Sequence, residues 1–548
     1  NAGVNRFDPI NNRFDHYLHD AQDQHSLANN NVFSIIQDRS GLLWLGTLGG
    51  GISKFDPASE NFGLVRHEAT NPNGIDEGKV TSFYKNQSGE LWIGTYSGLN
   101  HYIVSNDEFQ RFEHQADNSE SLCDSGVLAV LEDSMGTLWV GTLAGGLGRM
   151  NSDGKSFTCY RFQADNEHSL SDNYVAVLHE DAKGYLWVGT QNGLNRFNRD
   201  TDNFTRFHFD KNNTDSISDN FVNTLFTDKD DTLWIGTSGG GLNQFNEQNS
   251  KFTRFQHEPD NANSLSHNTV YSIAQDHDGN MWLGTNNGLN KFNPVSQKFV
   301  QFRENDGLAN ERVFAILVDK EGKLWLGLGE QSLSLFDPKT AIFIDNIDAD
   351  AKCYSTQGAY FQSSDGQLFF GNESRYCAFY PENISQQSQA PDIVFTDFRL
   401  LNKSVAIKNS DNNSPLNRAI NYTDSLILTH KDIVMSFEFS ALHFASPTGN
   451  QYKYKLEGFN ADWLETGADN RRATYTNLSA GDYVLKVIAS NNQNVWNEQG
   501  REINLRILPP PWMTWWAYAI YVLALLSIIA WFIQSQRNKK KHLKVLVR

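Results

Sequence analysis

The chain has 548 residues, a formal net charge of −18, 39% hydrophobic residues and 12% aromatic residues. This length allows several domains, and the apolar content is ample for a core in each. The acidic balance argues against nucleic acid as a general partner, because it repels the phosphate backbone.

Residues 3–18 hold two short runs, around Phe7-Asp8 and Phe14-Asp15, that match only the last two strands of the repeats farther along the chain. The sequence is therefore expected to begin in mid-blade. It has no initiator Met and no signal peptide, which predicts a mature or excised fragment of a longer protein.

Seven copies of an apolar-Trp-apolar-Gly signature follow at intervals of 43 to 48 residues. The tryptophans are Trp44, Trp92, Trp139, Trp187, Trp234, Trp282 and Trp325. An eighth, weakened copy has Phe369 in place of Trp. Each copy contains four short apolar runs and lacks a helix-length amphipathic stretch, so the period predicts the four-stranded antiparallel blades of a β-propeller.

The residues common to the repeats are interpreted as structural. A Trp that recurs in every blade is expected to pack between blades rather than to bind a sugar. The Asp-x-x-Gly segments, such as Asp133 to Gly136, are expected to be hairpin turns rather than calcium loops. Glycine runs such as Gly239-Gly240-Gly241 lack the Lys-Ser/Thr of a phosphate loop, and they are interpreted as turn glycines.

The first, third and fifth repeats carry one extra small residue after Gly-Thr, so the sequence unit is a pair of blades. Eight hairpins and a half-blade could close as one eight-bladed ring, or as seven blades with a remnant of an upstream propeller. The degenerate last copy favours seven blades at residues 70–386, with residues 1–69 as the remnant.

Four cysteines occur, Cys123, Cys159, Cys353 and Cys377, without Cys-x-x-Cys spacing. The spacing gives no zinc or redox motif. Cys353 and Cys377 fall in one blade and could pair in an oxidising compartment, but free buried thiols are the favoured interpretation.

The period ends after Pro391, and residues 391–508 contain short alternating apolar runs typical of a β-sandwich. Leu478 to Tyr483, followed by Val484 to Val487, resembles the tyrosine corner of immunoglobulin-like and fibronectin type III sandwiches. Tyr483 is therefore interpreted as structural.

Three prolines, 509–511, precede a segment without charged residues, Trp512 to Ile533. Its 22 positions would reach about 33 Å as a helix, enough to cross a bilayer. Aromatic residues crowd its start, and basic residues follow its end: Arg537, Lys539, Lys540, Lys541, Lys544 and Arg548. The positive-inside rule predicts a cytoplasmic C-terminus, with residues 534–548 beginning a linker helix and everything before Trp512 outside the inner membrane.

The order of these parts resembles the two-component regulator propeller and three-Tyr (YYY) sensor family. The resemblance rests on the Leu-Trp-Ile/Val/Leu-Gly-Thr blades, Tyr454 to Phe459 with Trp463, Ala489 to Asn497, and the Pro-Pro-Trp before the span. It implies a bacterial receptor with two seven-bladed propellers and a YYY sandwich in the periplasm. It also implies a homodimer, an oligosaccharide or other small ligand, and a cytoplasmic histidine kinase, hybrid kinase or diguanylate cyclase.

The segment after Ile533 contains no phosphoacceptor His motif, nucleotide-binding box or cyclase signature. The chain itself is therefore expected to be a non-catalytic sensor region with no cofactor. A propeller enzyme such as a glycosidase or lyase remains an alternative, because Glu77, Glu311, Glu330 and Glu373 break the repeat pattern. A membrane-anchored adhesion or scaffold module is a third reading. The 15 histidines lack metal-ligand spacing, and the sequence assigns no ligand-binding residues.

Overall fold

A computed structural model describes residues 3–9, 12–21, 26–67, 71, 73–105, 108–329, 332–344, 353–373, 375–384, 390–409 and 414–546. The chain forms two compact units, residues 1–386 and 387–548. β-Strands are the main regular structure of the described residues, and short 3-10 turns occur at Pro57–Phe62, Glu304–Asp306, Pro381–Asn383, Ile420–Tyr422, Pro447–Gly449 and Pro511–Met513.

The first unit opens with two small sheets. One is a hairpin of β1 (Val4–Asp8) and β2 (Arg13–Tyr17), and the other contains β3 (Val32–Gln37), β4 (Leu43–Thr47) and β5 (Gly51–Phe55). The repeat of Trp44 therefore forms a three-stranded sheet. The next strand, β6 (Leu64–Arg66), belongs to a different sheet.

Six four-stranded antiparallel sheets follow in chain order, and we number them blades 1 to 6. Blade 1 contains β7 (Val80–Lys85), β8 (Leu91–Thr95), β9 (Leu99–Ile103) and β10 (Glu108–Phe112), and blade 2 contains β11 (Val127–Glu132), β12 (Leu138–Thr142), β13 (Leu147–Met150) and β14 (Phe157–Tyr160). Blade 3 contains β15 (Val175–Glu180), β16 (Leu186–Thr190), β17 (Gly193–Asn198) and β18 (Asn203–Phe207), and blade 4 contains β19 (Val222–Thr227), β20 (Leu233–Thr237), β21 (Leu242–Asn246) and β22 (Lys251–Phe255). Blade 5 contains β23 (Val270–Gln275), β24 (Met281–Thr285), β25 (Gly288–Asn293) and β26 (Lys298–Phe302), and blade 6 contains β27 (Val313–Val318), β28 (Leu324–Leu328), β29 (Ser332–Asp337) and β30 (Ile342–Ile344).

Blade 7 closes the ring with strands from both ends of the array. It contains β31 (Tyr360–Gln362), β32 (Leu368–Gly371) and β33 (Arg375–Phe379), and its outermost strand is β6. The Val80 N–H of blade 1 donates to the Asn372 carbonyl of blade 7 at 2.9 Å. The ring therefore has seven blades, as the sequence predicted, and the eight-bladed alternative is excluded. The closing strand β6 lies before residue 70.

The repeated tryptophans pack between blades, which confirms their structural interpretation. Trp139, Trp187, Trp234 and Trp282 are almost completely buried. The ring of Trp234 in blade 4 lies 5.6 Å from that of Phe292 in blade 5, and Trp187 and Phe245 repeat this contact at 5.2 Å. Each blade thus covers an aromatic ring of its neighbour.

The Asp turns hold these tryptophans in place. In blade 4, Trp234 Nε1 donates to Asp228 Oδ2 at 2.7 Å, while Asp228 Oδ1 accepts the backbone N–H groups of Asp230 and Thr232, each at 2.9 Å. The same bond from Trp to Asp occurs in blades 2, 3, 5 and 6. The turns are therefore hairpin turns, and their carboxylates are occupied by protein donors.

A buried polar triad joins the strands within blades 3, 4 and 5. In blade 4, Asn243 Nδ2 donates to Ser218 Oγ at 2.8 Å, and the Ser218 N–H donates to Asn243 Oδ1 at 2.9 Å. Thr237 Oγ1 lies 3.5 Å from the same serine oxygen. The buried polar side chains of this triad thus hydrogen-bond with one another, as burial requires.

A disulfide takes the place of this triad in blade 2. Cys123 stands at the serine position, Gly148 stands at the asparagine position, and Cys159 pairs across the strands with Gly148. The Cys123–Cys159 bond joins Cα atoms 5.8 Å apart, and Cys353–Cys377 joins Cα atoms 5.6 Å apart. The expectation of free thiols is wrong, because sequence spacing does not show which cysteines face each other on neighbouring segments.

The second unit is a sandwich of two sheets around one core. One sheet has the order β35 (Lys403–Ser404), β34 (Ile393–Leu400), β37 (Val434–Ala441) and β40 (Arg472–Thr476). The other has the order β36 (Ser425–Thr429), β42 (Trp496–Leu508), β41 (Gly481–Ser490), β38 (Gln451–Glu457) and β39 (Leu464–Gly467). Tyr483 Oη donates to the Ser479 carbonyl at 3.1 Å, which confirms the predicted tyrosine corner.

A single long helix, α1 (Trp515–Leu546), follows the sandwich. Its segment Trp515–Lys539 has a mean hydropathy of 2.1 and is long and apolar enough to cross a membrane. The helix begins three residues later than the predicted span at Trp512, because Pro511–Met513 forms a 3-10 turn first. It continues without a break beyond Ile533, and Arg548 lies outside the described residues.

Candidate functional site

Two positions in each of blades 1 to 6 meet on one face of the ring. One residue directly precedes the first valine of the inner strand, and the other directly follows Gly-Thr, or Gly-Leu in blade 6, at the end of the second strand. In blade 3 the Gln191 N–H donates to the Tyr174 carbonyl at 3.1 Å, and the equivalent bonds in blades 1, 2, 4, 5 and 6 measure 2.7 to 3.2 Å. We call these positions the mouth: Lys79, Tyr96, Gly126, Leu143, Tyr174, Gln191, Phe221, Ser238, Thr269, Asn286, Arg312 and Gly329.

The backbone of the mouth is constant while its side chains differ from blade to blade. The hydrogen bond that joins the two positions uses only main-chain atoms, so this bond does not depend on the identity of the side chains. The triads and the Asp–Trp pairs, in contrast, consume the repeated polar side chains. The mouth is therefore where this propeller can vary in chemistry without loss of structure.

Aromatic side chains occupy one side of the mouth. The rings of Tyr174 and Phe221 lie 5.7 Å apart in an edge-to-face arrangement. Tyr96 is 47% exposed, and Lys79 Nζ lies 5.8 Å from the centre of its ring. Shielding from water raises the pKa of Tyr174, and the neighbouring Tyr96 adds to this rise. The Tyr174 phenol therefore stays neutral at physiological pH and can donate a hydrogen bond.

The other side of the mouth is mixed. Tyr271, the bulged residue of β23, stacks edge-to-face on Phe314 at 5.0 Å and donates to Asn286 Oδ1 at 3.3 Å. Shielding from water raises the pKa of Tyr271, and the exposed Arg312 guanidinium opposes this rise. An aromatic pair, an amide and a cation thus lie next to one another.

Blade 7 sends two side chains across the ring to blade 4. Gln357 Nε2 donates to Asn223 Oδ1 at 3.2 Å, and Asn223 Nδ2 donates to the Val270 carbonyl at 3.1 Å. Tyr360 hydrogen-bonds with Thr224, and its enclosure raises the pKa of Tyr360 to about 12. These contacts form a polar floor beneath the mouth.

The acids that break the repeat pattern do not form a catalytic pair within the described residues. Glu311 lies 3.5 Å from Arg303 and Glu373 lies 3.7 Å from Lys79, so each faces a cation. Glu77 is exposed on a loop, and Glu330 lies outside the described residues. Among the residues that the structure describes, no three His, Cys, Asp or Glu side chains converge to hold a metal ion.

Sequence reasoning named no binding residue and missed the mouth. A signal was present, because the residues before the first valine and after Gly-Thr change from repeat to repeat although each adjoins a repeated residue on one side. The sequence does not show that these two positions are hydrogen-bonded to each other and lie at the same end of the ring.

Family models match both units. The two component regulator propeller model matches residues 26–49, 169–192, 216–239, 264–287 and 307–329, and the Y_Y_Y domain model matches residues 443–508. These matches confirm the resemblance found in the sequence. The chain thus carries two component regulator propeller repeats and a Y_Y_Y domain.

Known proteins share parts of this chain. Histidine kinase P4 from Formosa agariphila is 34% identical over 179 residues, which cover 32% of this chain and 13% of the kinase. The extracellular domain of a putative hybrid two component system from B. thetaiotaomicron superimposes with a TM-score of 0.72 at 24% identity, covering 92% of this chain and 64% of that domain. The chain therefore spans less than two thirds of either relative, and the second likeness shows the fold. Virginiamycin B lyase from Staphylococcus aureus covers 57% of this chain and is itself covered to 98%, but its TM-score of 0.43 at 14% identity carries no argument about activity.

Proposed function

We propose that this chain is the extracytoplasmic ligand-sensing region of a single-pass bacterial membrane receptor, whose kinase or diguanylate cyclase lies outside the chain. The observation that carries the proposal is the order of parts. Two-component regulator propeller repeats and a Y_Y_Y sandwich are followed by α1, which begins seven residues after β42 ends.

The orientation in the membrane follows from charge. The sandwich side of α1 is rich in Trp and Tyr, which favour the membrane interface, whereas Arg537 and Lys539 follow its apolar stretch. Short basic segments stay on the cytoplasmic side. The propeller and sandwich would then lie in the periplasm, with the C-terminal end of α1 in the cytoplasm.

The mouth is the ligand site that we favour, and an oligosaccharide is the ligand class that suits it. Sugar rings offer apolar C–H faces that stack on aromatic rings and hydroxyls that need polar partners. In the mouth, Tyr96, Tyr174 and Phe221 can stack on the C–H faces. Asn286 and Arg312 can hydrogen-bond with the hydroxyls. A few polar groups among aromatic walls are the usual composition of a small-molecule site.

A relay through a dimer would connect this site to the cytoplasm. A ligand can shift a receptor only if it binds one of two arrangements more tightly than the other. We propose that two copies of the chain pair and that ligand favours one spacing or angle of the two α1 helices.

The experiment that tests the proposal is a thermal-shift screen of the full chain in lipid nanodiscs against an oligosaccharide library. We expect saturable stabilisation by one class of glycan and no change in the glycan itself. Cleavage of the glycan would instead support the enzyme alternative, and stabilisation by no member would contradict the proposed ligand class.

A further inference from the structure

The end of the sandwich from which α1 departs can be identified from strand register. Thr429 at the end of β36 pairs with Leu508 at the end of β42. The start of β37 also lies at this end, where Val434 pairs with Thr476. The loops after β34, β36 and β38 therefore lie at the same end of the sandwich as the start of the helix.

These loops carry large apolar side chains in contact with solvent. Phe459 and Leu401 are each 57% exposed, although the Phe459 ring also lies 5.8 Å from that of Tyr475. Four more exposed apolar residues come from the neighbouring loops and the connection to α1. We call the set the apolar end: Leu401, Ile433, Phe459, Leu508, Trp512 and Met513.

The connection to the helix is folded against this end. The Trp512 ring lies 5.4 Å from the ring of His430, which belongs to the turn after β36. The Met513 N–H donates to the Pro510 carbonyl at 2.8 Å, so the chain turns rather than extends before Trp515. Seven residues could span at most about 25 Å when extended, and the turn shortens this reach.

We propose that the apolar end is a membrane-docking surface whose side chains enter the headgroup–acyl boundary of the leaflet that α1 enters. The inference rests on α1 crossing a membrane, as in the proposed function. A lipid surface is the occupant that the chemistry favours, because the apolar end is continuous with the start of the span and its aromatic residues Trp515, Trp516 and Tyr518.

Two lysines at this end can also contact a lipid surface. Lys403 and Lys431 are exposed and lie two residues from Leu401 and Ile433, where ammonium groups can meet lipid phosphates. Of the acids at this end, Asp432 accepts from the N–H and the hydroxyl of Thr429 at 2.7 and 2.8 Å, Asp482 pairs with Arg506 at 2.8 Å, and Asp462 is exposed. Docking would set the tilt of the sandwich relative to the bilayer. A change in this tilt would then alter the orientation of α1.

The test uses the full chain in liposomes of phosphatidylethanolamine and phosphatidylglycerol. All four cysteines are in disulfides, so an introduced cysteine can be labelled alone. We choose Phe459→Cys and Leu401→Cys at the apolar end, with an environment-sensitive fluorophore, and measure quenching by lipids that carry a nitroxide near the headgroup.

Two matched controls frame the result. Tyr422→Cys is an exposed position on the same sandwich, far from the apolar end. The carbonyl of the adjacent Asn421 accepts from Arg501, and Arg501 lies about 23 Å from Leu508 along β42. Leu523→Cys lies within the proposed span, about 12 Å along the helix from Trp515, and its quenching is measured with lipids that carry the nitroxide on the acyl chain. We expect several-fold stronger quenching at positions 459 and 401 than at 422, with a blue-shifted emission.

Quenching at 459 and 401 no stronger than at 422, while 523 is quenched, would overturn the docking surface and leave the span intact. An unquenched label at 523 would overturn the span and the docking surface together. A blue shift at 459 without nitroxide quenching would also overturn the proposal, because it would indicate a second copy of the chain as the occupant.

Discussion

Single carboxylates carry much of the order in this propeller. Asp228 shows how, since one oxygen holds the indole of Trp234 and the other holds two backbone N–H groups of the turn. Asp228 is only 7% exposed, so the N–H groups that it accepts from would have little access to water if the carboxylate were removed. The repeated Asp and the repeated Trp thus act together as one structural unit of the blade.

Asp228→Ala is expected to destabilise the ring. The indole N–H and two amides lose their acceptor, which should lower the free energy of unfolding by about 2–4 kcal/mol. Denaturant unfolding of the purified chain measures the effect. The control is Asp230→Ala in the same turn, whose exposed side chain should be replaced at little cost. Equal stability of the two variants would refute the role of the carboxylate.

His179 should make stability depend on pH. Its Nε2 lies 2.7 Å from Thr227 Oγ1, and shielding of the ring from water lowers the pKa of His179 to about 4, against the opposing effect of Asp181. The unfolded chain takes up this proton at a higher pH than the folded chain does. Stability is therefore greatest above pH 6.5 and falls as the pH decreases towards about 4.

The measurement is the difference in unfolding free energy between the natural chain and His179→Gln across this pH range. Gln keeps a hydrogen-bonding group but does not titrate, so the natural chain should lose up to about 3 kcal/mol relative to the variant on acidification. Parallel pH profiles would show that His179 does not titrate as the structure indicates.

At the scale of elements, blade 2 and blade 4 solve one packing problem with different chemistry. A disulfide stands where the other blade has Ser218 and Asn243. The close approach of the sulfur explains why Gly148 accompanies the disulfide, because a Cβ there would lie 3.0 Å from Cys123 Sγ.

The two solutions should be interchangeable in part. Cys123→Ser with Cys159→Ala should lower the unfolding free energy by about 3 kcal/mol, because the 36-residue separation is no longer closed. Adding Gly148→Asn should restore about 1 kcal/mol through the amide–hydroxyl bond seen in blade 4. Adding Gly148→Ala instead supplies a Cβ without the amide. If Gly148→Asn stabilises the double variant no more than Gly148→Ala does, the amide–hydroxyl bond does not substitute for the disulfide.

The sequence predicted most elements because their causes are local. The Trp period, the Asp turns and the tyrosine corner at Tyr483 each follow from residues close in sequence. The cysteine pairing and the start of α1 were missed for a different reason. Cys159 is brought to Cys123 by strand pairing with Gly148, and the 3-10 turn at Pro511–Met513 delays the start of the helix.

At the scale of the whole molecule, the proposed receptor would pass its signal through the connection between β42 and α1. This connection contains Pro509, Pro510 and Pro511, and Trp512 contacts His430 at 5.4 Å. Proline fixes φ near −65° and so stiffens the backbone. The connection is therefore suited to carry a rotation or tilt of the sandwich into the helix.

Replacing the three prolines with Gly-Ser-Gly should uncouple ligand binding from helix movement. A spin label on Ser535→Cys in nanodisc-bound dimers reports the distance between the two α1 helices. Ligand should change this distance in the natural connection and leave it unchanged in the flexible one, with similar ligand affinity in both. A preserved distance change would rule out coupling through the prolines.

The candidate site was less predictable than the fold. The mouth brings together Tyr96, Tyr174 and Phe221 from separate blades, and no short motif links them. Its floor depends on Gln357 reaching Asn223 on the opposite side of the ring, a contact between residues 134 positions apart. Only closure of the seven blades creates these neighbours.

The most direct test of the sensor account is calorimetric titration of the oligosaccharide found in the screen into the full chain in nanodiscs. Tyr174→Ala removes an aromatic face of the mouth, and Tyr185→Ala removes an exposed tyrosine from the opposite face of the same blade. We predict that Tyr174→Ala weakens binding about tenfold or more, equivalent to about 1.4 kcal/mol, and that Tyr185→Ala leaves it unchanged. Unchanged affinity in Tyr174→Ala, or cleavage of the bound glycan, would contradict the account.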